Sequence, residues 1–295
     1  MDLAGPKCRT GQILAEEGFR LSPGARLLLR RAAPDPAMAF PAQAECTLPA
    51  LVDALEVGQP VLIDDGKTSC EVEEVRPEGV VLRVSHGRES GRKLREGKSL
   101  NAPRSAIRER AVTDKDVCDI EFVARHADAV QLSFVQERSD VGKLQHELER
   151  HLGGRPMLPV VLKIETARAV RAFPELVAQA GAKQPVAAMI ARGDLAVEIG
   201  FERLAEMQEE LLCLAEAAHV PVIWATQVLE RFVRKGLPTR AEISDVVLGG
   251  RAECVMLNKG PYQLEAVSIL HDLLLRLQGH QWKRRPQLRA LRSWA

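Results

Sequence analysis

The sequence predicts an α/β protein, built on a parallel sheet or (β/α) barrel and carrying a separate small β domain. Three observations lead there. From about Thr113 onward, short apolar runs alternate with amphipathic stretches in units of about thirty residues, the rhythm of repeated βα units. From about Arg9 to Val112 the runs are shorter and separated by turn residues, as in a small antiparallel domain. Finally, two apolar runs end abruptly in charge. Val160 to Leu162 runs into Lys163-Ile164-Glu165, and Ala188 to Ala191 runs into Arg192-Gly193-Asp194. Parallel barrel strands behave this way where they build a site at their C-terminal rim.

In chain order, a strand is possible at the extreme N-terminus. Val61-Leu62-Ile63 leads into the turn Asp64-Asp65-Gly66, Cys70 to Val75 alternates, and Pro77-Glu78-Gly79 turns into Val80 to Val84. The stretch from Ala32 to Pro49, rich in Ala and Pro, is expected to be a loop. Five strands follow, at Ala129–Val135, Val160–Glu165, Val186–Ala191, Pro221–Ala225 and Glu253–Leu257. Between them, Leu204, Met207, Leu211, Leu214, Ala215 and Ala218 share one helical face. Thr239 to Glu242 reads as a capping box. A last helix is expected from about Tyr262 to Leu277, with Gly279 as its stop. The expected domains are 1–8 (N-terminal barrel strand), 9–112 (inserted β domain), 113–279 (barrel portion) and 280–295 (basic tail).

Composition narrows the functional classes. Hydrophobic content of 46% and charged content of 27% over 295 residues suit a globular chain with a sizeable core. A net charge of +1 gives no reason to expect nucleic acid or membrane as a partner. The six cysteines are scattered without a C-x-x-C pair, which argues against a zinc ribbon or a local redox motif and fits a reducing compartment. No run reaches membrane-spanning length and no secretory leader is evident, so the cytoplasm is the expected location. None of the seven histidines has metal-ligand spacing.

Strand residues two apart point the same way, so Lys163 and Glu165 share one side. With Asp194 they offer one cation and two carboxylates, suited to holding a divalent metal against a phosphorylated anion. Each has a plainer reading. Lys163 and Glu165 can be an ion pair at a strand end, Asp194 an N-cap, Arg192 a structural partner, Thr226 a strand-end hydroxyl and Asp65 a turn residue.

Four segments then gain meaning together: Val160 to Glu165, Met189 to Leu195, Trp224 to Glu230 and Pro238 to Asp245 resemble those of pyruvate kinase, in its order and at its spacing. Asp2 to Gly11 is similar to that family's third barrel strand leading into its inserted domain. Ile63 to Gly66 and Gly97 to Pro103 are similar to parts of that domain, and Thr113 to Asp116 and Leu132 to Val135 to the return. The resemblance covers roughly Asp2 to Leu277. It implies an incomplete (β/α)8 TIM barrel with an inserted small β-barrel. It also implies phosphoryl transfer between phosphoenolpyruvate and ADP, giving pyruvate and ATP, in glycolysis.

By the same resemblance Glu165 and Asp194 ligate magnesium (or manganese), and Asp2 is a further metal-site residue. Lys163 stabilises the transferring phosphoryl group and the enolate. Backbone N–H groups at Gly193 and Asp194 hold the substrate carboxylate, Thr226 stands on the proton-donating side, and Ser133 supports the site. Potassium is the family's second cation, but Leu3 stands where the family has a threonine ligand. Asn258-Lys259-Gly260 also departs from the family's pattern. The family's first two barrel strands and its C-terminal domain have no counterpart in the sequence. A late start codon, a fragment, or a short chain completed by a partner or by homo-oligomers are the expectations that follow. A non-catalytic relative that binds phosphoenolpyruvate and metal in a regulatory role, and a 2-oxo acid lyase on a related barrel, are the alternatives.

Overall fold

The chain enters through β1 (Asp2–Leu3) and departs into a run of short strands. These are β2 (Thr10–Ala15), β3 (Arg26–Arg30), β4 (Ala42–Cys46), helix α1 (Pro49–Ala54), β5 (Pro60–Ile63), β6 (Thr68–Arg76), β7 (Gly79–His86) and β8 (Leu100–Asn101). It then continues through α2 (Asp114–His126), β9 (Val130–Leu132), α3 (Arg138–Leu152), β10 (Val160–Ile164), α4 (Ala167–Gly181), β11 (Val186–Ala191), α5 (Arg192–Ile199) and α6 (Phe201–Ala217). The last elements are β12 (Val222–Val228), α7 (Glu230–Lys235), α8 (Arg240–Gly249), β13 (Cys254–Leu257) and α9 (Gln263–Gln281). This computed structural model describes residues 1–103 and 109–281. It divides into two units, Met1–Gly5 with Ala111 onward, and Pro6–Arg110.

In the first unit, one parallel sheet runs in the order β1-β9-β10-β11-β12-β13. Its two faces differ as the pleat requires. Leu132, Val160, Leu162, Ile164, Ile190 and Trp224 point toward the helices and form the main core. Val161, Met189 and Ala225 point the other way, packed with Ala187, Ile223 and Met256. Leu3 pairs with Leu132 in register and is buried in the helix-side core, so Asp2 falls on the opposite face with Gln131. The result is an α/β half-barrel with β1 and β13 as its edges.

The helices start where the sequence supplies caps. In α2, the Thr113 Oγ1 accepts from the Asp116 N–H at 3.2 Å while the Asp116 carboxylate accepts from the Thr113 N–H at 2.9 Å. Thr166 caps α4 through the Ala169 N–H at 3.1 Å. On α6, Met207, Leu211 and Ala215 of the expected face are buried, and Leu204 and Leu214 pack against them. Ala218 lies past the helix end and is exposed. Helix α9 does not stop at Gly279 but continues to Gln281, since an interior glycine costs a helix only about 1 kcal/mol. The expected tail therefore begins inside a helix, and residues 282–295 lie outside the described residues.

The second unit is a seven-stranded sheet in the order β2-β4-β3-β7-β6-β5-β8. It is mixed rather than antiparallel, because β3 and β4 pair in parallel. The expected loop from Ala32 to Pro49 contains β4, which lies between β2 and β3 with Ala42, Gln43 and Ala44 fully buried. Alanine has little strand preference; partners on both sides hold this strand. Gln43 also ties down the preceding turn. Its Nε2 donates to the Asp35 and Met38 carbonyls at 2.9 and 3.0 Å, and its Oε1 accepts from the Asp35 N–H at 2.9 Å. The Lys67 N–H donates to the Asp64 carbonyl at 3.2 Å, and the central residues Asp65 and Gly66 take positive φ, 56° and 78°, as a tight hairpin turn needs.

One carboxylate joins two helices. Glu242 completes the α8 capping box with Thr239 and also accepts from the Arg231 and Phe232 N–H groups at the start of α7, which has no side-chain cap of its own. Burial works against its ionisation, but the backbone donors at Thr239, Arg231 and Phe232 prevail and hold its carboxyl below the usual range. Glu242→Gln is expected to lower stability by about 1–2 kcal/mol in urea unfolding at neutral pH. Because the folded value is depressed, the wild-type advantage is full above the unfolded value and fades as pH falls through the folded one. A gap that widens on acidification would contradict this account.

Candidate active site

The C-terminal ends of β9, β10, β11 and β12 carry the ionic and polar residues. Lys163, one residue from the end of β10, points to the face opposite the helices, and its side chain is only 14% exposed. Its ammonium donates to Ser133 Oγ at 2.8 Å and to Asp2 Oδ1 at 3.3 Å, and it lies 3.5 Å from Glu165 Oε1. Ser133 Oγ in turn donates to Asp2 Oδ1 at 3.2 Å. A single cation thus joins the ends of β1, β9 and β10.

Glu165 is 2% exposed, and its second oxygen accepts from the Phe134 N–H at 2.6 Å. Phe134 makes this possible by taking a left-handed conformation, φ 54°, uncommon for a residue with a side chain. Gly5 sits against the same turn at φ 65°, where a Cβ would come within 3.1 Å of the Ser133 carbonyl and 3.3 Å of the Phe134 ring. Only glycine combines that conformation with that approach.

A second group forms where β11 passes into α5. Arg192 is buried, and each of its three guanidinium nitrogens donates. It donates to the Ala225 carbonyl at 3.0 Å and the Thr226 carbonyl at 2.6 Å, pairs with Asp245 from α8, and lies 4.6 Å from the centre of the Trp224 ring. The turn it grips is strained. Thr226 and Gln227 have φ of 67° and 59°, and for a β-branched residue such as Thr226 this is a true outlier. The strain aims Thr226 Oγ1 at the start of α5, where it accepts from the Gly193 N–H at 2.9 Å. A Cβ at Gly193 would meet that hydroxyl at an ordinary 3.5 Å, so internal packing does not demand glycine there. The missing side chain leaves room beside Thr226.

Asp194 lies in the first turn of α5, with Glu198 one turn further along. Burial, reinforced by the Asp194 charge, pushes the Glu198 carboxyl up to about 7. Among the expected residues, contacts join Asp2, Ser133, Lys163 and Glu165 and tie Gly193 to Thr226, while Asp194 acts on Glu198 one turn along α5. Among the described residues no three His, Cys, Asp or Glu side chains gather as a self-sufficient metal cage. Sequence reasoning did not single out Phe134, Glu198 or Asp245. The i, i+4 spacing from Asp194 was a usable signal for Glu198, whereas nothing local marks Asp245 as the partner of Arg192.

Fold and site together define an α/β protein whose ionic site stands on the C-terminal ends of parallel strands, with an ammonium and carboxylates suited to an anionic, metal-associated ligand. A family model described as the barrel domain of pyruvate kinase matches residues 1–267. The chain is 33% identical to human pyruvate kinase PKLR over 286 residues, covering 92% of this chain and 47% of that protein. It is also 33% identical to the pyruvate kinases of Dictyostelium discoideum (92% and 52%) and Geobacillus stearothermophilus (94% and 46%). The chain belongs to the pyruvate kinase family. It spans about half the length of the curated relatives it matches. No helix among the described residues is long and apolar enough to cross a membrane.

The Arg192–Asp245 pair sets a stability prediction. Arg192→Met leaves the partly buried Asp245 carboxylate and two backbone carbonyls without their donor and is expected to cost about 2–3 kcal/mol in urea unfolding. The double variant Arg192→Met/Asp245→Leu is expected to cost clearly less than the two single changes combined. Strict additivity would show that the pair does not act as a unit.

Proposed function

We propose that this chain carries the phosphotransfer site of a pyruvate kinase, moving a phosphoryl group between phosphoenolpyruvate and ADP to give pyruvate and ATP in glycolysis. The observation that carries the reading is the Lys163 ammonium, held at the end of β10 by Ser133, Asp2 and Glu165, in a chain of this family. An ammonium fixed at a strand end needs no reorganisation to meet developing negative charge. In this role Lys163 stabilises the transferring phosphoryl group and the enolate left behind.

The donor set suits magnesium or manganese. A hard divalent ion of this kind is commonly held by one or two carboxylates plus substrate oxygens, without a cage made wholly by the protein. Glu165 and Asp194 are the two carboxylates we assign to it. Asp2, whose Oδ1 already serves Lys163 and Ser133, is a supporting residue in this scheme rather than a ligand. When bound, the ion supplies Lewis-acid neutralisation of phosphate and enolate oxygens. Leu3 is buried among apolar side chains and offers no side-chain oxygen to potassium, so no step is assigned to that ion.

The remaining roles belong to the turn at α5. Gly193 and the start of that helix form the place for the substrate carboxylate, where backbone N–H groups and the helix dipole favour an anion. Thr226 Oγ1, beside Gly193, lies on the side from which the enolate carbon takes its proton. In this reading the half-barrel is part of a (β/α)8 barrel and the mixed sheet its inserted small barrel. A bridge between Arg9 and Ser99 supports the second point by linking the regions of β2 and β8 at opposite ends of that sheet. Cytoplasmic operation accords with a glycolytic role.

Binding without turnover is the competing reading, favoured by the Gly193 N–H being already taken by Thr226 Oγ1. A coupled assay of pyruvate formation from phosphoenolpyruvate, ADP and magnesium tests the proposal. Turnover is expected, and Lys163→Met is expected to lower kcat roughly a hundred- to a thousand-fold while thermal stabilisation by phosphoenolpyruvate and magnesium persists. Ligand-induced stabilisation with no turnover in the wild type would favour the binding reading; equal turnover in Lys163→Met would end the proposed role of that residue.

A further inference from the structure

The β unit holds two sulfurs that sequence spacing did not connect. Cys8 precedes β2 and Cys46 ends β4, and the two strands pair antiparallel with Thr10 opposite Cys46. Cys8 is therefore offset by two residues on the same side of the pleat, a diagonal neighbour across the pair. Their Sγ atoms lie 3.3 Å apart, and Cys46 Sγ also lies 3.2 Å from the Leu48 carbonyl. The flanking backbone is fixed: the Arg9 N–H donates to Thr47 Oγ1 at 2.8 Å, the Thr47 N–H to the Arg9 carbonyl at 2.9 Å, and the Leu100 N–H to the Cys8 carbonyl at 3.0 Å. Cys8 is partly open to solvent, whereas Cys46 is buried behind it. Neither belongs to a metal-binding cluster among the described residues.

We propose that Cys8 and Cys46 form an oxidisable dithiol, a modification site at which a two-electron oxidant such as hydrogen peroxide joins the two sulfurs in a disulfide. The inference is independent of the phosphotransfer reading. The hydrogen bond from Cys8 holds Cys46 below the usual thiol range, and the same bond together with burial pushes Cys8 well above it. The pair thus releases a first proton readily and keeps the second. The remaining proton rests on Cys8, donated to the Cys46 thiolate across the 3.3 Å contact; its transfer along that bond to Cys46 leaves the thiolate on Cys8, the one solvent reaches. Its sulfur attacks one peroxide oxygen, the O–O bond breaks, and a sulfenic acid forms on Cys8 as hydroxide leaves and takes the proton released from the pair. Cys46 sulfur then attacks the Cys8 sulfur, an S–S bond forms, and the sulfenic oxygen departs with the second thiol proton as water. In sum, two thiols lose two electrons and two protons, and one peroxide becomes two waters. The other cysteines lack this arrangement: Cys118 and Cys254 are exposed without a sulfur partner described, and burial pushes Cys70 up to about 12.

The test treats the reduced full chain with hydrogen peroxide, alkylates the remaining thiols, and maps peptides without reduction. A linked pair joining the Cys8 and Cys46 peptides is expected as the main product, with Cys70, Cys118, Cys213 and Cys254 still alkylated. Linking is expected to slow about tenfold or more in urea, where the fold no longer holds the sulfurs together. In Cys46→Ser the link disappears and Cys8 accumulates as a sulfenic acid trapped by dimedone; Cys8→Ser also removes the link, which covers the case in which the buried substitution impairs folding. The proposal is overturned if Cys8 and Cys46 stay alkylatable, if they oxidise without linking, or if linking is as fast in urea as in buffer.

Discussion

Lys163 is the group on which the site's geometry depends. Burying an ammonium at the end of a strand is costly unless its donors are met, and here a hydroxyl, an open carboxylate and a buried carboxylate meet them. Each partner comes from a different place in the chain: Asp2 from the first strand, Ser133 from just past β9, and Glu165 from just past β10. Removing the cation would leave Glu165 buried with its Phe134 N–H bond but without its neighbouring positive charge. The same bonds therefore align the sheet's C-terminal ends and keep a positive charge poised at one point. Replacing such a cluster with apolar residues often stabilises a fold, so its presence speaks for chemistry more than for stability.

A second cation works in the opposite manner. Arg192 is committed to the fold, since its guanidinium is shared among Asp245, two carbonyls and the Trp224 ring. Its product is a shape, the left-handed turn at Thr226 and Gln227 that brings a hydroxyl to the start of α5. Strained backbone of this kind persists only where its surroundings over-determine it. Phe134 is a parallel case at the end of β9, steadied by the buried Glu165. Phe134 follows the end of β9, whereas Thr226 and Gln227 form an irregularity within β12, between its pairings at Trp224 and Val228.

The β unit has its own core and its own logic. Leu27, Leu29, Val61, Ile63, Val72, Val80, Leu82 and Val84 interdigitate there, and Gln43 makes up in hydrogen bonds what β4 lacks in bulky side chains. The Cys8 and Cys46 sulfurs meet where this sheet begins. Residues 38 apart in the chain become neighbours because antiparallel pairing of β2 with β4 sets their register.

Much was legible from local pattern. Alternating apolar runs and amphipathic helices announced the βα units because periodicity reflects which face is buried, and Thr239 with Glu242 announced a helix start because both halves of a capping box lie within one turn. Lys163 and Glu165 stood out because two residues apart on a strand means one shared face. Other features had no local signal: β4 is a strand by virtue of its neighbours, α9 carries on through a glycine, and Arg192 meets Asp245 from a helix far along the chain. The sequence by itself determined which residues are apolar, charged or capping, and so the class of fold, the family and the residues worth watching. Only the tertiary structure decided which charges meet, which turns are strained and which sulfurs touch, because those depend on strand register and on long-range pairing that no short window of sequence contains.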